Sequence, residues 1–138
     1  MRWIFIDTSY LAALIDRGDQ LHELALVLAA ELRSPSVRFV TSEIVLIELL
    51  TFFSGFGREG RESAAMYAAE LRADPLVTVV THTEDLYDAA FTLYRERPDK
   101  SYSMVDCIGM VICKDRGITE VLTADHDFEQ EGFTLLLK

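Results

Sequence analysis

Several carboxylates in this 138-residue chain stand where carboxylates are seldom found. Asp7 directly follows the apolar run Trp3-Ile4-Phe5-Ile6, and Glu48 interrupts Ile44-Val45-Leu46-Ile47-Glu48-Leu49-Leu50. Asp106 interrupts Met104-Val105-Asp106-Cys107-Ile108, while Asp125 and Asp127 sit in Thr123-Ala124-Asp125-His126-Asp127-Phe128. Taking an isolated carboxylate out of water is very costly, so each must be neutralised, hydrogen-bonded or bound to a cation. Asp7, Glu48, Asp106 and Asp125 facing one pocket would form an oxygen-only donor set, which suits Mg²⁺ or Mn²⁺ rather than zinc. Local explanations stand beside that one. Asp7 can cap a helix, Glu48 can emerge on a narrow polar stripe, and Ser103-x-x-Asp106 has the spacing of a capping box. Asp125 and Asp127 can form a turn.

The elements that must carry these residues follow from periodicity and punctuation. Arg2–Ile6 is a short apolar strand, and Val37–Thr41, Leu76–Thr81, Glu120–Thr123 and Phe133–Leu136 are further strand candidates. Helical spacing covers Tyr10–Ile15, Gln20–Arg33, a segment capped by Ser42 and running to about Phe53, Arg58–Ala73 and Thr83–Arg97. A last helix, Ser103–Arg116, is closed by Gly117, and Ala124–Gly132 reads as a loop. The helix around Glu48 is apolar on nearly all sides and is expected to be buried. Strands alternating with helices over short connections predict a three-layer α/β fold: a mostly parallel sheet of about five strands flanked by helices, in one domain spanning 1–138. Ligands of such sheets bind outside the carboxyl ends of the strands. Asp7 and Asp125 both follow a strand directly, so they share that edge.

Taken in order, four segments resemble the PIN-domain proteins, and specifically the VapC type of bacterial toxin. They are Ile6-Asp7-Thr8-Ser9, Thr41-Ser42-x₅-Glu48, Ser103-x-x-Asp106 and Thr123-Ala124-Asp125-His126-Asp127-Phe128, with Gly132-Phe133 near the end. The resemblance covers nearly the whole chain. It implies a PIN-like fold and a Mg²⁺- or Mn²⁺-dependent endoribonuclease whose catalytic and metal-binding acids are Asp7, Glu48, Asp106 and Asp125. Asp127 matches a more variable acid and ranks below those four. Thr8, Ser103 and Thr123 match hydroxyl positions that orient carboxylates or backbone. In-line attack by water would leave 5′-phosphate and 3′-hydroxyl ends, with no need for a catalytic histidine. The implied partners are an RNA substrate, a cognate antitoxin protein whose tail lies beside the acids, and a second copy in a homodimer. Phe52, Phe53 and Phe56 are either part of an interface or part of the core.

Charge sets limits on the partner. Thirteen basic against 23 acidic residues give a net charge of −10, which argues against a broad basic face for nucleic acid. Assigning four of those charges to a metal site leaves −6. Affinity for bulk RNA should then be weak and salt-sensitive, and recognition confined to a few folded RNAs. Arg33, Arg38, Arg95, Arg97 and Lys100 are the candidates for a local basic rim. Cys107 and Cys113 show no metal-ligand spacing and read as core residues. His22 and His82 read as ordinary surface residues, and His126 lies beside the candidate site. No apolar run is long enough for a membrane helix, and Trp3–Ile6 meets Asp7 too early for a signal peptide, so the chain reads as cytoplasmic. Three other classes compete. A non-catalytic binding module of the same fold would not need all four acids, and none is replaced. A receiver-like phosphoryl acceptor would need a lysine after a late strand, which is lacking. A structure-specific DNA nuclease of the same superfamily would need clamping elements for which 138 residues leave little room.

Overall fold

β1 (Arg2–Ile6), β2 (Val37–Ser42), β3 (Val77–Val80), β4 (Glu120–Leu122) and β5 (Thr134–Leu135) form one sheet in the computed structural model, which describes all 138 residues. Their order is β3-β2-β1-β4-β5, and every pairing is parallel. From β1 the chain therefore moves outward to β2 and β3, then returns across the sheet to β4 and β5. Right-handed crossovers running in opposite directions put their helices on opposite faces. On the first stretch lie α1 (Thr8–Ile15), α2 (His22–Glu31), α3 (Glu43–Phe52) and α4 (Gly57–Ala73), which pack among themselves. On the return lie α5 (Glu84–Glu96), α6 (Met104–Arg116) and α7 (His126–Gln130), where α5 packs on α6 and α6 on α7. The expected three-layer α/β fold is what forms, with a sheet that is wholly parallel.

The sequence explains most boundaries. The Ser42 hydroxyl accepts the Val45 N–H at 3.1 Å and starts α3, and the Thr83 hydroxyl does the same for α5 with the Leu86 N–H. Gly117 closes α6 in the left-handed region at φ 68°, a conformation that glycine adopts without steric cost. Gly109 matters for a different reason. A Cβ there would lie 3.1 Å from a ring carbon of Phe5, so glycine lets α6 approach β1 closely. The core is continuous from Ile4, Phe5 and Ile6 through Val40 and Leu49 to Met110, Val121, Leu122 and Phe128, all buried. Cys107 and Cys113 are free thiols within it, as expected.

Three expectations change. α1 begins at Thr8, two residues before its apolar spacing becomes visible. The stretch Ala124–Gly132 is not simply a loop, since it contains the short helix α7, which Asp125 caps. α3 is not buried on all sides: Val45, Leu46 and Leu49 face the core, whereas Ile47, Leu50 and Phe52 are exposed. The last helical turn continues into a 3-10 turn, Phe53–Gly55, which splits the aromatic cluster. Phe53 is 1% exposed and belongs to the core, while Phe52 and Phe56 are 50% and 47% exposed.

Candidate functional site

Strand order reverses between β1 and β4, so a crevice opens at their carboxyl ends. Pairing of Ile6 with Leu122 makes Asp7 and Thr123 the next residues out, and the Asp7 N–H still reaches the Leu122 carbonyl at 3.2 Å. On the other side of β1, the Thr41 hydroxyl donates to the Ile6 carbonyl at 2.9 Å, fixing the end of β2 from which α3 leaves. A cavity of about 630 Å³ sits at this edge, lined by Asp7, Glu48, Asp106, Asp125 and Asp127 together with Asp19. The four acids singled out by sequence thus reach one cavity, each from a different element.

Each aspartate is held through one oxygen. Asp7 occupies the cap position of α1 but its side chain makes no cap bond; its Oδ2 accepts from the Thr123 hydroxyl at 2.8 Å. Asp106 closes a full capping box, its Oδ2 accepting the Ser103 N–H at 2.9 Å while the Ser103 hydroxyl accepts the Asp106 N–H at 3.0 Å. Asp125 Oδ1 accepts the Asp127 N–H at 2.9 Å, and Asp127 Oδ1 accepts from the Ser101 hydroxyl at 3.1 Å. The capping and turn-forming readings of Asp106 and Asp125 are therefore correct as far as they go. They use one oxygen of each carboxylate and leave the other free.

Burial makes the group electrostatically tense. Asp7 is 7% exposed, and loss of water pushes its carboxyl up to about 7, a rise that the Thr123 hydroxyl and the Thr8 backbone N–H oppose and the charges of Asp106 and Glu48 increase. Asp106 is pushed up to about 6, first by burial, with Ser103 opposing and Asp125 and Asp127 adding repulsion. Asp106, Asp125 and Asp127 each offer an oxygen within 4.8 Å of the others. Asp127, ranked below the four, stands inside that tight trio, while Asp7 and Glu48 line the same cavity outside it. Glu48 is half-buried rather than enclosed.

The donor set fits a hard divalent ion. It contains only oxygens, like charges are gathered with no basic side chain lining the cavity, and Thr8 Oγ1 is buried at its edge without a hydrogen-bond partner. Ser101 is not singled out by the sequence, and Ser9 stands there only within Ile6-Asp7-Thr8-Ser9, without a role of its own. Ser101 is a loop residue whose only sign was its proximity to Ser103, and Ser9 Oγ meets the Thr123 hydroxyl at 3.1 Å. None of the five basic residues considered for a rim, Arg33, Arg38, Arg95, Arg97 and Lys100, lines the cavity itself. Arg33 and Arg38 lie at the amino end of β2, away from the cavity, and Arg97 is engaged by Glu131. Arg95 stacks over the Phe91 ring at 5.8 Å on α5. The histidines also differ from plain surface residues: His22 Nδ1 contacts the Ala13 carbonyl at 2.7 Å, and His82 Nδ1 is buried without a partner. His126 is exposed beside the site.

The model of the PIN domain matches residues 4–133 of the chain. The chain belongs to the PIN-domain family. This PIN domain is 35% identical over 130 residues to the 23S rRNA-specific endonuclease VapC20 of Mycobacterium tuberculosis, covering 94% of the chain and 95% of that protein. The crystal structure of M. tuberculosis VapC20, described as a sarcin-ricin loop cleaving toxin, superposes with a TM-score of 0.83 at 33% identity, covering 95% of this chain and 96% of that one. The PIN domain is thus of the VapC type. Lower identity, 14% and 16%, accompanies TM-scores of 0.66 and 0.64 to VapBC2 of Rickettsia felis and FitAcB of Neisseria gonorrhoeae, each covering about 96% of the chain. Those two speak for the fold alone.

Proposed function

We propose that the chain is a metal-dependent endoribonuclease, the toxin of a toxin–antitoxin pair, acting on a structured ribosomal RNA. The observation that carries this reading is full-length similarity to an rRNA-specific endonuclease in a chain whose acids line one cavity. Asp106, Asp125 and Asp127 would hold a Mg²⁺ or Mn²⁺ ion, with Asp7 and Glu48 completing the acidic wall. Such an ion lowers the pKa of water and offsets charge developing on the reacting phosphate. The chain's own residues do the rest. Thr123 and Ser103 fix carboxylate orientation, and Thr8 offers a free hydroxyl at the cavity edge. An acidic surface keeps non-specific RNA away, so selection falls to the shape of the target.

The toxin reading brings two protein partners, a cognate antitoxin and a second copy of the chain. Exposed Ile47, Leu50, Phe52 and Phe56 on α3 and the turn after it supply apolar surface for association, and Phe52 also lines the acidic cavity. No helix is long and apolar enough to cross a membrane. The reading is tested by incubating antitoxin-free protein with ribosomal RNA and Mg²⁺ or Mn²⁺ and sequencing the new 5′ ends. Discrete cuts that disappear with EDTA and in Asp7→Asn are expected; cutting that ignores both controls, or no cutting, would overturn it.

A further inference from the structure

Glu131 ends α7 in a polar stretch, Glu129-Gln130-Glu131-Gly132, where a solvated carboxylate is the ordinary expectation. Its side chain is instead only 6% exposed and gathers three donors from distant parts of the chain. The Arg97 guanidinium forks onto it, Nε to Oε1 at 3.0 Å and Nη2 to Oε2 at 3.1 Å. The Tyr102 hydroxyl donates to Oε1 at 3.1 Å, and Lys114 Nζ donates to Oε2. Burial alone would raise the Glu131 carboxyl, but these donors outweigh it and bring it down to about 2, so the group is a fixed anion.

The position of the donors in the chain is informative. Arg97 opens the loop between α5 and α6, and Tyr102 stands near its end, between Ser101 and Ser103, the two serines that hold carboxylates. Ser101 donates to Asp127, and Ser103 both caps α6 and offers its N–H to Asp106. Glu131 itself caps the helix that begins at Asp125 and contains Asp127. One buried carboxylate therefore pins the segment carrying Asp106 to the segment carrying Asp125 and Asp127. Three carboxylates within 4.8 Å of one another repel, and unpinned segments would drift apart to relieve that repulsion. We propose that Glu131 is a positioning residue, the joint that keeps Asp106, Asp125 and Asp127 close enough to share one cation. This rests on the metal-site reading above.

The test compares Mn²⁺ affinity by calorimetry, without RNA, in wild type, Glu131→Gln and Tyr102→Phe, at a temperature where all are folded. Glu131→Gln keeps the shape but removes the charge, and Tyr102→Phe removes a single hydroxyl from the loop anchor. The expected result is Mn²⁺ binding roughly 10- to 100-fold weaker in Glu131→Gln, and weaker in the same direction in Tyr102→Phe. In cleavage assays kcat should fall at limiting Mn²⁺ and recover at saturating Mn²⁺, with KM for RNA unchanged. A role in stability alone would lower the melting temperature and leave Mn²⁺ affinity where it was, and that result overturns the proposal. Should Glu131→Gln fail to fold, Tyr102→Phe decides by the same criterion. Wild type that binds Mn²⁺ but cuts no RNA, with weakened binding in the variants, would sink the nuclease reading and support the positioning role.

Discussion

The hydroxyl of Thr123, just beyond β4, donates to Asp7 Oδ2, just beyond β1, across 2.8 Å. A hydroxyl has one proton, so the other bonds at Thr123 must point inward. It accepts the Asp125 N–H at 3.1 Å, and the proton shared with Ser9 at 3.1 Å must come from Ser9. Ser9 in turn accepts the Ala124 N–H at 3.2 Å. The result is a directed chain of hydrogen bonds ending on the most buried acid of the site. It joins the two strands between which the strand order reverses.

Replacing Thr123 by valine keeps the shape and removes that chain. Asp7 loses the strongest interaction opposing its protonation, and the Asp125 N–H loses its acceptor. Leaving buried polar groups unpaired costs about 1–3 kcal/mol, and disturbing the support of a metal ligand typically costs about 10- to 100-fold in affinity. Thr123→Val is expected to melt lower and bind Mn²⁺ more weakly, while Thr123→Ser restores both. Thermal melts and calorimetry on the pair check this; a valine variant with wild-type Mn²⁺ affinity would show that the hydroxyl does not orient the site.

Asp106 separates two roles that coincide in one side chain. As a cap it needs one acceptor oxygen for the Ser103 N–H; as a ligand it needs negative charge on the other. Asparagine keeps a carbonyl acceptor and loses the charge, whereas alanine loses both. Metal-free Asp106→Asn should be as stable as wild type or more so, because repulsion from Asp125 and Asp127 is relieved. Asp106→Ala should lose about 1 kcal/mol, the usual worth of a capping interaction. Both should bind Mn²⁺ poorly. Equal destabilisation of the two variants in EDTA would mean that the charge itself sustains the helix start.

Local rules made much of this legible. Ser42, Ser103 and Gly117 announced helix ends because capping needs only neighbours in sequence. Asp7 announced itself by following an apolar strand. The features that stayed hidden depend on partners far along the chain. Ser101 reaches Asp127 across 26 positions, which is what places Asp127 inside the trio. Glu131 looked like a solvated residue because its partners lie 17, 29 and 34 positions away. Arg97 looked free to meet RNA for the same reason. The outer face of α3 was misjudged for a different reason: composition reports how apolar a helix is, and only packing decides which of its sides is covered.

The raised acids give metal-free stability a definite pH dependence. Asp7 at about 7 and Asp106 at about 6 both titrate well above the 3.8 of a free side chain. Between those limits the folded chain binds more protons than the unfolded chain, so stability falls as pH rises. Their contribution is fully present below about pH 4 and is lost as pH climbs through 6 and 7. Glu131 acts the other way. Burial pulls it upward, but Arg97, Lys114 and Tyr102 hold it at about 2, so it contributes above the ordinary 4.5 and loses that contribution as pH falls toward 2. In EDTA the melting temperature should therefore peak near pH 4, where the folded chain has Glu131 ionised and Asp7 and Asp106 still protonated, and decline until pH passes about 7. Asp7→Asn should flatten the decline, because the amide has no proton to lose. Saturating Mn²⁺ should reverse it, since a ligand at 100 times its Kd adds about 2.7 kcal/mol and binds the ionised form that high pH supplies. Melts at pH 5, 6, 7 and 8, with and without Mn²⁺, check all three. A melting temperature in EDTA that rises steadily over that range would mean that the acids are already ionised and paired without metal, and that the cavity is not the strained anionic site described above.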